Sequence, residues 1–323
     1  MQSDLVRLNK EVVTGRMADV GLNLGGATGR TVTLRVDKDY LATLVASNAS
    51  ATTRLEQTQD ALGQLASAAD DFRNQLIATG STSSAEAIRR AAQAALSTFV
   101  AQANASDGRD YLLGGINSSV PPIADFDAGA SAAVDAAFLA RFGMTQDDPA
   151  VASISASDIG DFIDNEFADL FADPAWGTDW SSASDQPIAS RISPTESIDS
   201  SVSANQPAMR KLAMVYTMVA ALGFDKLNDQ ARQAVIDKAT GAIGDAGGEL
   251  TALQADLGTK QTRVKEATER LTVQQTIIEQ RISAIEGVDQ ADAKVRIDML
   301  STQIEMSYSL TAKLLQISIL NYA

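Results

Sequence analysis

Residues 41–76, LATLVASNASATTRLEQTQDALGQLASAADDFRNQL, decide the fold. One line through them, Leu41, Asn48, Leu55, Leu62, Ala69 and Leu76, advances by seven, and a second, Leu44, Ala51, Thr58, Leu65 and Phe72, keeps the same beat. Mostly apolar residues at such a and d positions mark a long helix with one seam. Near the other end Leu250, Leu257, Val264, Leu271, Ile278 and Ile285 repeat at seven, while the companion line of Leu253, Lys260, Ala267, Gln274 and Arg281 is half polar. Neither helix buries its stripe alone, so the two are expected to pair. Leu55, Leu62, Leu65 and Phe72 then face a core shared with Leu257, Val264, Leu271 and Ile278. The fold class implied is mainly α: a long coiled-coil-like helical bundle built from both chain ends, with an inserted small α+β domain in the middle.

Working outward, all seven prolines lie between Pro121 and Pro207. Proline breaks helix interiors, so the flanks are free to be long helices and the middle is not. Charge divides the chain at the same places. Residues 117–208 hold 15 acidic side chains against Arg141 and Arg191, a net of −13, leaving −2 for the flanks out of a total of −15. Both tryptophans, Trp176 and Trp180, and six of nine phenylalanines also fall there, as a small domain with its own core would require. The expected division is 1–116 as the amino-terminal half of the helical domain and 117–208 as the acidic insert. Residues 209–300 are then the carboxyl-terminal half, and 301–323 a terminal helix.

Shorter elements follow from local signals. Ser83-Ser84-Ala85-Glu86 reads as a capping box opening an Ala-rich helix that turns Ile88, Ala92, Ala95 and Phe99 inward and ends near Asp107-Gly108. Helices are expected over about 131–142, 158–171 and 210–222. Alternation at Ile188, Ser190 and Ile192, then at Ile198, Ser200 and Val202, predicts a hairpin.

Composition excludes several functions. The formal charge of −15 leaves no clustered cations to release counterions from nucleic acid or to hold an anionic membrane surface. With no Cys and no His, the chain lacks disulfides, a thiol nucleophile, the commonest general base and the commonest zinc ligand. Gly21-Leu-Asn-Leu-Gly25-Gly26-Ala-Thr-Gly29-Arg30 is Gly-rich, yet Leu24 and Arg30 stand where a Walker loop needs Gly and Lys. It is expected to be an irregular connector. Asp125-Phe-Asp127-Ala-Gly129 lacks the third acidic ligand and the twelfth-position Glu of a calcium loop. No cofactor and no enzymatic activity is expected, and an enzyme housed in 117–208 is the distant alternative.

The carboxyl end carries a sharper signal. Leu310, Leu314, Ile317 and Asn321 trace one helical stripe, with Leu315, Ile319 and Tyr322 beside it, and Lys313 is the only charge in the last eighteen residues. Such a helix docks onto something. Leu310, Leu314, Ile317, Leu320 and Tyr322 are the candidate assembly interface, with copies of the chain as the expected partners.

Four stretches resemble the flagellin superfamily. They are Leu5-x-x-Leu8-x-x-Glu11-Val-Val-Thr-Gly15-Arg16; Asn104 through Gly108-Arg109-Asp110-Tyr111-Leu112-Leu113-Gly114-Gly115; Ile285-Glu286-Gly287-Val288-Asp289-Gln290-Ala291-Asp292; and the ending Ser318-Ile319-Leu320-Asn321-Tyr322-Ala323. That ending is similar to the hook-filament junction branch of the superfamily, hook-associated protein 3, and the middle, with Trp176 and Trp180 near Ser181-Ser-Ala-Ser-Asp185, resembles junction proteins of alphaproteobacterial type. The resemblance implies an extracellular structural subunit of the bacterial flagellum, exported by the type III route without a cleaved Sec signal. Its partners would be copies of itself, another hook-associated protein, flagellin and a flagellar export chaperone. A filament flagellin and a coiled-coil adhesin or secretion-tip binding protein stand as alternatives. Superfamily members begin with a helix that pairs with the carboxyl one. Here Met1 falls almost at the turn motif, so a monomer with a mobile, unpaired carboxyl end is expected.

Overall fold

The computed structural model describes residues 2–78 and 84–320, with the side chains of Asn23 and of 316–320 outside that description. Freed of proline, the flanks form mostly helices: α1 (Gln2–Thr14), α2 (Val20–Leu24), α3 (Thr28–Ala78), α4 (Ala85–Ala103), α8 (Asp229–Glu286) and α9 (Gln290–Leu320). The middle is shorter pieces, α5 (Ala130–Phe142), α6 (Ala156–Phe162), strands β1 (Ala189–Ser193) and β2 (Glu196–Asp199), and then α7 (Pro207–Ala221). The chain is mainly α, with one antiparallel two-stranded sheet among the described residues.

Two compact units emerge, Met1–Val45 with Glu269–Ala323, and Ala46–Thr268. In the larger, α3 and α8 run antiparallel, since Asn48 bonds Thr268, Gly63 lies beside Gln254, and Arg73 beside Gly244. Leu55, Leu62, Leu65 and Phe72 are buried there together with Leu257 and Val264. Helix α7 is buried nearly all round, and Tyr216 sets its ring 5.3 Å from Phe72 and 6.2 Å from Phe99. Burial also pushes the Tyr216 phenol well above its ordinary range. An aromatic chain then continues from Phe138 through Phe162, Phe167 and Phe171 to Trp180, stacked on Trp176, with centroids 5.1–5.9 Å apart.

The expected boundaries are corrected here. Residues 117–208 close no core of their own, because α7 is buried on several faces and joins their aromatics to the helical core in one cluster. The compact units divide instead between Val45 and Ala46 and between Thr268 and Glu269. The terminal helix begins at Gln290 and not at 301.

Local signals shift by a few residues. The N-cap of α4 is Ser84, whose hydroxyl accepts from the Ala87 N–H at 3.3 Å, while Ser83 lies outside the described residues. Glu86 consequently falls one place early for a capping box and pairs with Arg89 and Arg90. Helix α4 stops at Ala103 because Asn104 exchanges two bonds with the Ile123 backbone, at 2.8 and 2.9 Å, and draws the chain away. Downstream, Gly115 has φ +59° and a Cβ there would stand 2.4 Å from the Ser184 carbonyl oxygen, so only glycine fits. The Gly-rich stretch is more regular than expected: α2, one turn of 3₁₀ helix over Gly25–Ala27, then α3.

Helix α8 contains glycines that packing does not demand. Gly241, Gly247, Gly248 and Gly258 have open space where a Cβ would be, and glycine inside a helix is unfavourable by roughly 0.5–1 kcal/mol against alanine. Gly258→Ala is therefore expected to raise unfolding free energy by about 0.5–1 kcal/mol, whereas Leu62→Ala, fully buried, lowers it by about 2–5 kcal/mol. Urea denaturation of the two variants checks both signs.

Acid sensitivity follows from two fastened carboxylates. The backbone N–H groups of Asp110 and Arg109 hold Asp107 below its usual range, and Lys226 does the same for Asp147. A carboxyl depressed in the folded state stabilises above its unfolded pKa, and that contribution disappears as pH falls through the folded value. Melting temperature is thus expected to hold down to about pH 4 and to fall below it. Asp107→Asn flattens that slope in thermal melts taken between pH 5 and 3.

Candidate assembly surface

The smaller unit is organised where two turns meet. After α1 the chain turns at Gly15, after α8 it turns at Gly287, and Arg16 and Gly287 form an antiparallel bridge. The Met17 N–H donates to the Glu286 carbonyl at 2.9 Å and the Val288 N–H to the Gly15 carbonyl at 3.1 Å. Beneath them the Glu286 carboxylate, fully buried, accepts two bonds from Arg35 at 2.8 and 2.7 Å. Glu11, also buried, accepts from the Ala18 N–H at 3.1 Å. Two of the stretches that resemble flagellins, the one ending Gly15-Arg16 and the one around Glu286-Gly287, therefore form a single contact.

Helix α1 packs on α9. Leu8 and Ala293 are buried, Ile297, Leu300 and Ile304 are half-buried, and the Gln2 amide donates to the Tyr308 hydroxyl at 3.1 Å. This overturns the expectation that α9 lacks an amino-terminal partner. Leu5, Leu8 and Val12 form the helical face of α1, a pattern too short to stand out beside the resemblance that this stretch carries.

Of the predicted seam residues, Leu271 is buried with Leu41 and Leu44, and Ile278 packs half-buried against them. Lys38 pairs with Glu279 alongside and keeps that carboxyl below its usual range. Of the predicted interface, Leu310 and Leu314 are 62% and 63% exposed. Ile317 and Leu320 lie in α9 with side chains outside the described residues, as Tyr322 is altogether.

Exposure extends well beyond those leucines. Among the described residues 15 of 19 exposed large apolar side chains belong to this smaller unit, including Val6, Val32, Val36, Tyr40, Val295, Met299 and Leu315. Its buried apolar residues, by contrast, are few among those described: Leu41, Leu44 and Leu271 in one cluster, with Leu8, Ile282 and Ala293 besides. The spacing of Val32, Val36 and Tyr40 at every fourth residue is the signal that reveals this face, opposite the Leu41 seam. Charge separates the units as well. The smaller carries 11 basic against 12 acidic residues, a net of −1, leaving −14 on the larger. A near-neutral surface rich in apolar side chains suits close approach between molecules.

Other concavities are open to solvent. A groove of about 810 Å³ along α4 is lined by Leu96, Val100 and Phe126 with Asp125 and Asp127 at its rim. No group of His, Cys, Asp or Glu among the described residues is arranged to hold a metal ion, and no described helix is long and apolar enough to cross a membrane.

The bacterial flagellin N-terminal helical region matches residues 1–118, and the bacterial flagellin C-terminal helical region matches residues 240–323. The chain belongs to the flagellin family. It is a flagellar structural subunit, and the family places it outside the cell. A solved structure from Vibrio parahaemolyticus, provisionally described as a flagellar hook-associated protein, shares the fold with a TM-score of 0.58 at 9% identity. That likeness covers 82% of this chain and 99% of the other. No curated protein is significantly similar in sequence.

The joined turns give a direct test. A Cβ on Gly287 would lie 2.5 Å from the Ser283 carbonyl oxygen. Gly287→Ala is expected to destabilise the smaller unit by about 1–3 kcal/mol through forced backbone strain, and limited proteolysis should then release α9 faster than in the parent chain.

Proposed function

We propose that this flagellin-family chain is an adaptor joining the flagellar hook to its filament. It assembles beside copies of itself, with another hook-associated protein on one side and flagellin on the other. The observation that carries the reading is the exposed apolar surface of the smaller unit, Leu310, Leu314 and Leu315 included. Burying each against a neighbour contributes about 1–2 kcal/mol, more than exposed ion pairs supply. Ile317, Leu320 and Tyr322 extend the same stripe in sequence. The acidic unit is left to face water, where its −14 charge favours solubility. The name given to the Vibrio protein favours a hook-associated role over that of the filament subunit. Export through the flagellar type III route, with a chaperone covering the apolar carboxyl helix beforehand, completes the proposal.

Filament flagellin is the second reading, because the same surface also suits an endless array. Deleting the gene should leave hooks without filaments in electron micrographs, and the purified chain should not polymerise alone into long fibres. Intact filaments in the deletion strain, or fibres of the purified chain, would sink the adaptor reading. Leu310→Glu combined with Leu314→Glu is expected to abolish motility on complementation while leaving the melting temperature of the isolated chain within about 2 °C, as exposed sites do.

A further inference from the structure

Asn48 stands in the apolar line that runs from Leu41 to Leu76, and it is only 1% exposed. Its Nδ2 donates to the Ile192 carbonyl on β1 at 3.0 Å and to Thr268 Oγ1 on α8 at 3.0 Å. The Thr268 hydroxyl donates its own hydrogen to the Val264 carbonyl at 2.8 Å, so toward Asn48 it only accepts. Ile192 sits at the irregularity between Arg191 and Ser193, where β1 has no cross-strand partner for it. The amide therefore reaches a carbonyl on the bulged residue.

Stability does not explain this residue. Asn48 Oδ1 is buried and has no hydrogen-bond partner among the described residues, which is unfavourable, and an amide forgoes the apolar burial a leucine would give. What the amide supplies is geometry, because both of its hydrogens find acceptors only at one setting of α3, α8 and the hairpin. A single buried Asn at an a position is known to select register at the expense of stability. The hairpin is also tied by Arg54 to Ser200 at 3.4 Å, by Arg263, about half exposed, to Glu196 at 3.1 and 2.9 Å, and by the non-directional burial of Ile192 and Ile198.

We infer that Asn48 is a positioning residue whose buried amide fixes where the β1–β2 hairpin seats on the α3–α8 seam. The test uses the full chain, with thermal melts and amide hydrogen exchange read by mass spectrometry in Asn48→Leu, Thr268→Val and the double variant. Asn48→Leu should melt no lower than the parent, while amides of 189–199 exchange at least tenfold faster and those of α3 around Leu62 do not change. Thr268→Val alone should lower the melting temperature, since it orphans one hydrogen of the buried amide, and adding Asn48→Leu should restore it. A slow hairpin in Asn48→Leu overturns the inference. So does an Asn48→Leu chain that melts lower or fails to fold, which would make the amide an ordinary stabilising contact, and so does a double variant no more stable than Thr268→Val.

Discussion

The burial of one apolar seam between two helices that lie far apart in sequence is what every other feature depends on. Neither α3 nor α8 carries a stripe wide enough to be stable alone, so each exists as a helix because the other covers it. In the larger unit this seam merges with α4, α7 and the aromatics of the middle segment. In the smaller it thins to Leu41, Leu44, Leu271 and Ile282, and the packing of α1 on α9 and the joined turns at Gly15 and Gly287 add to the order. The smaller unit is therefore held more by backbone bonds and the Arg35–Glu286 pair than by a thick core.

That difference matches the division of labour between the units. A unit with little interior and many exposed apolar side chains leaves much of its burial to be completed by neighbours. The larger unit has completed its own, and it presents carboxylates to water. Like-charge repulsion is consequently weaker at the smaller unit, net −1, than at the larger, net −14.

Much of this was legible in residue spacing. The lines from Leu41 and Leu44 follow the buried side of α3, and the proline-free flanks correspond to the long helices, because a seven-residue beat over five turns or more has few other solutions. Helices α5 and α7 and the hairpin fall within a few residues of their expected places. Legibility failed where the deciding contact was long-range. The 13 residues of α1 carry too short a pattern to announce α9 as their partner. The joining of the middle segment to the bundle depends on α7 being covered on several sides, which a stripe-seeking reading does not anticipate. The role of Asn48, the polar member of the line from Leu41, was not legible, since only the folded chain brings Ile192 and Thr268 to it. Of the exposed surface, the Leu310 stripe was found because it is nearly free of charge, whereas Val32, Val36 and Tyr40 were hidden among the ionic residues around them.

The open glycines of α8 bear on how the larger unit responds to load. Gly247 and Gly258 also offer their carbonyls to the hydroxyls of Thr251 and Thr262, at 2.9 and 3.0 Å, an arrangement that loosens and bends a helical ladder. Between Gly241 and Gly258 the four open glycines also leave the helix without side chains to brace it. Curvature in α8 is therefore easiest in this stretch, where bending at the glycines themselves disturbs no side-chain packing.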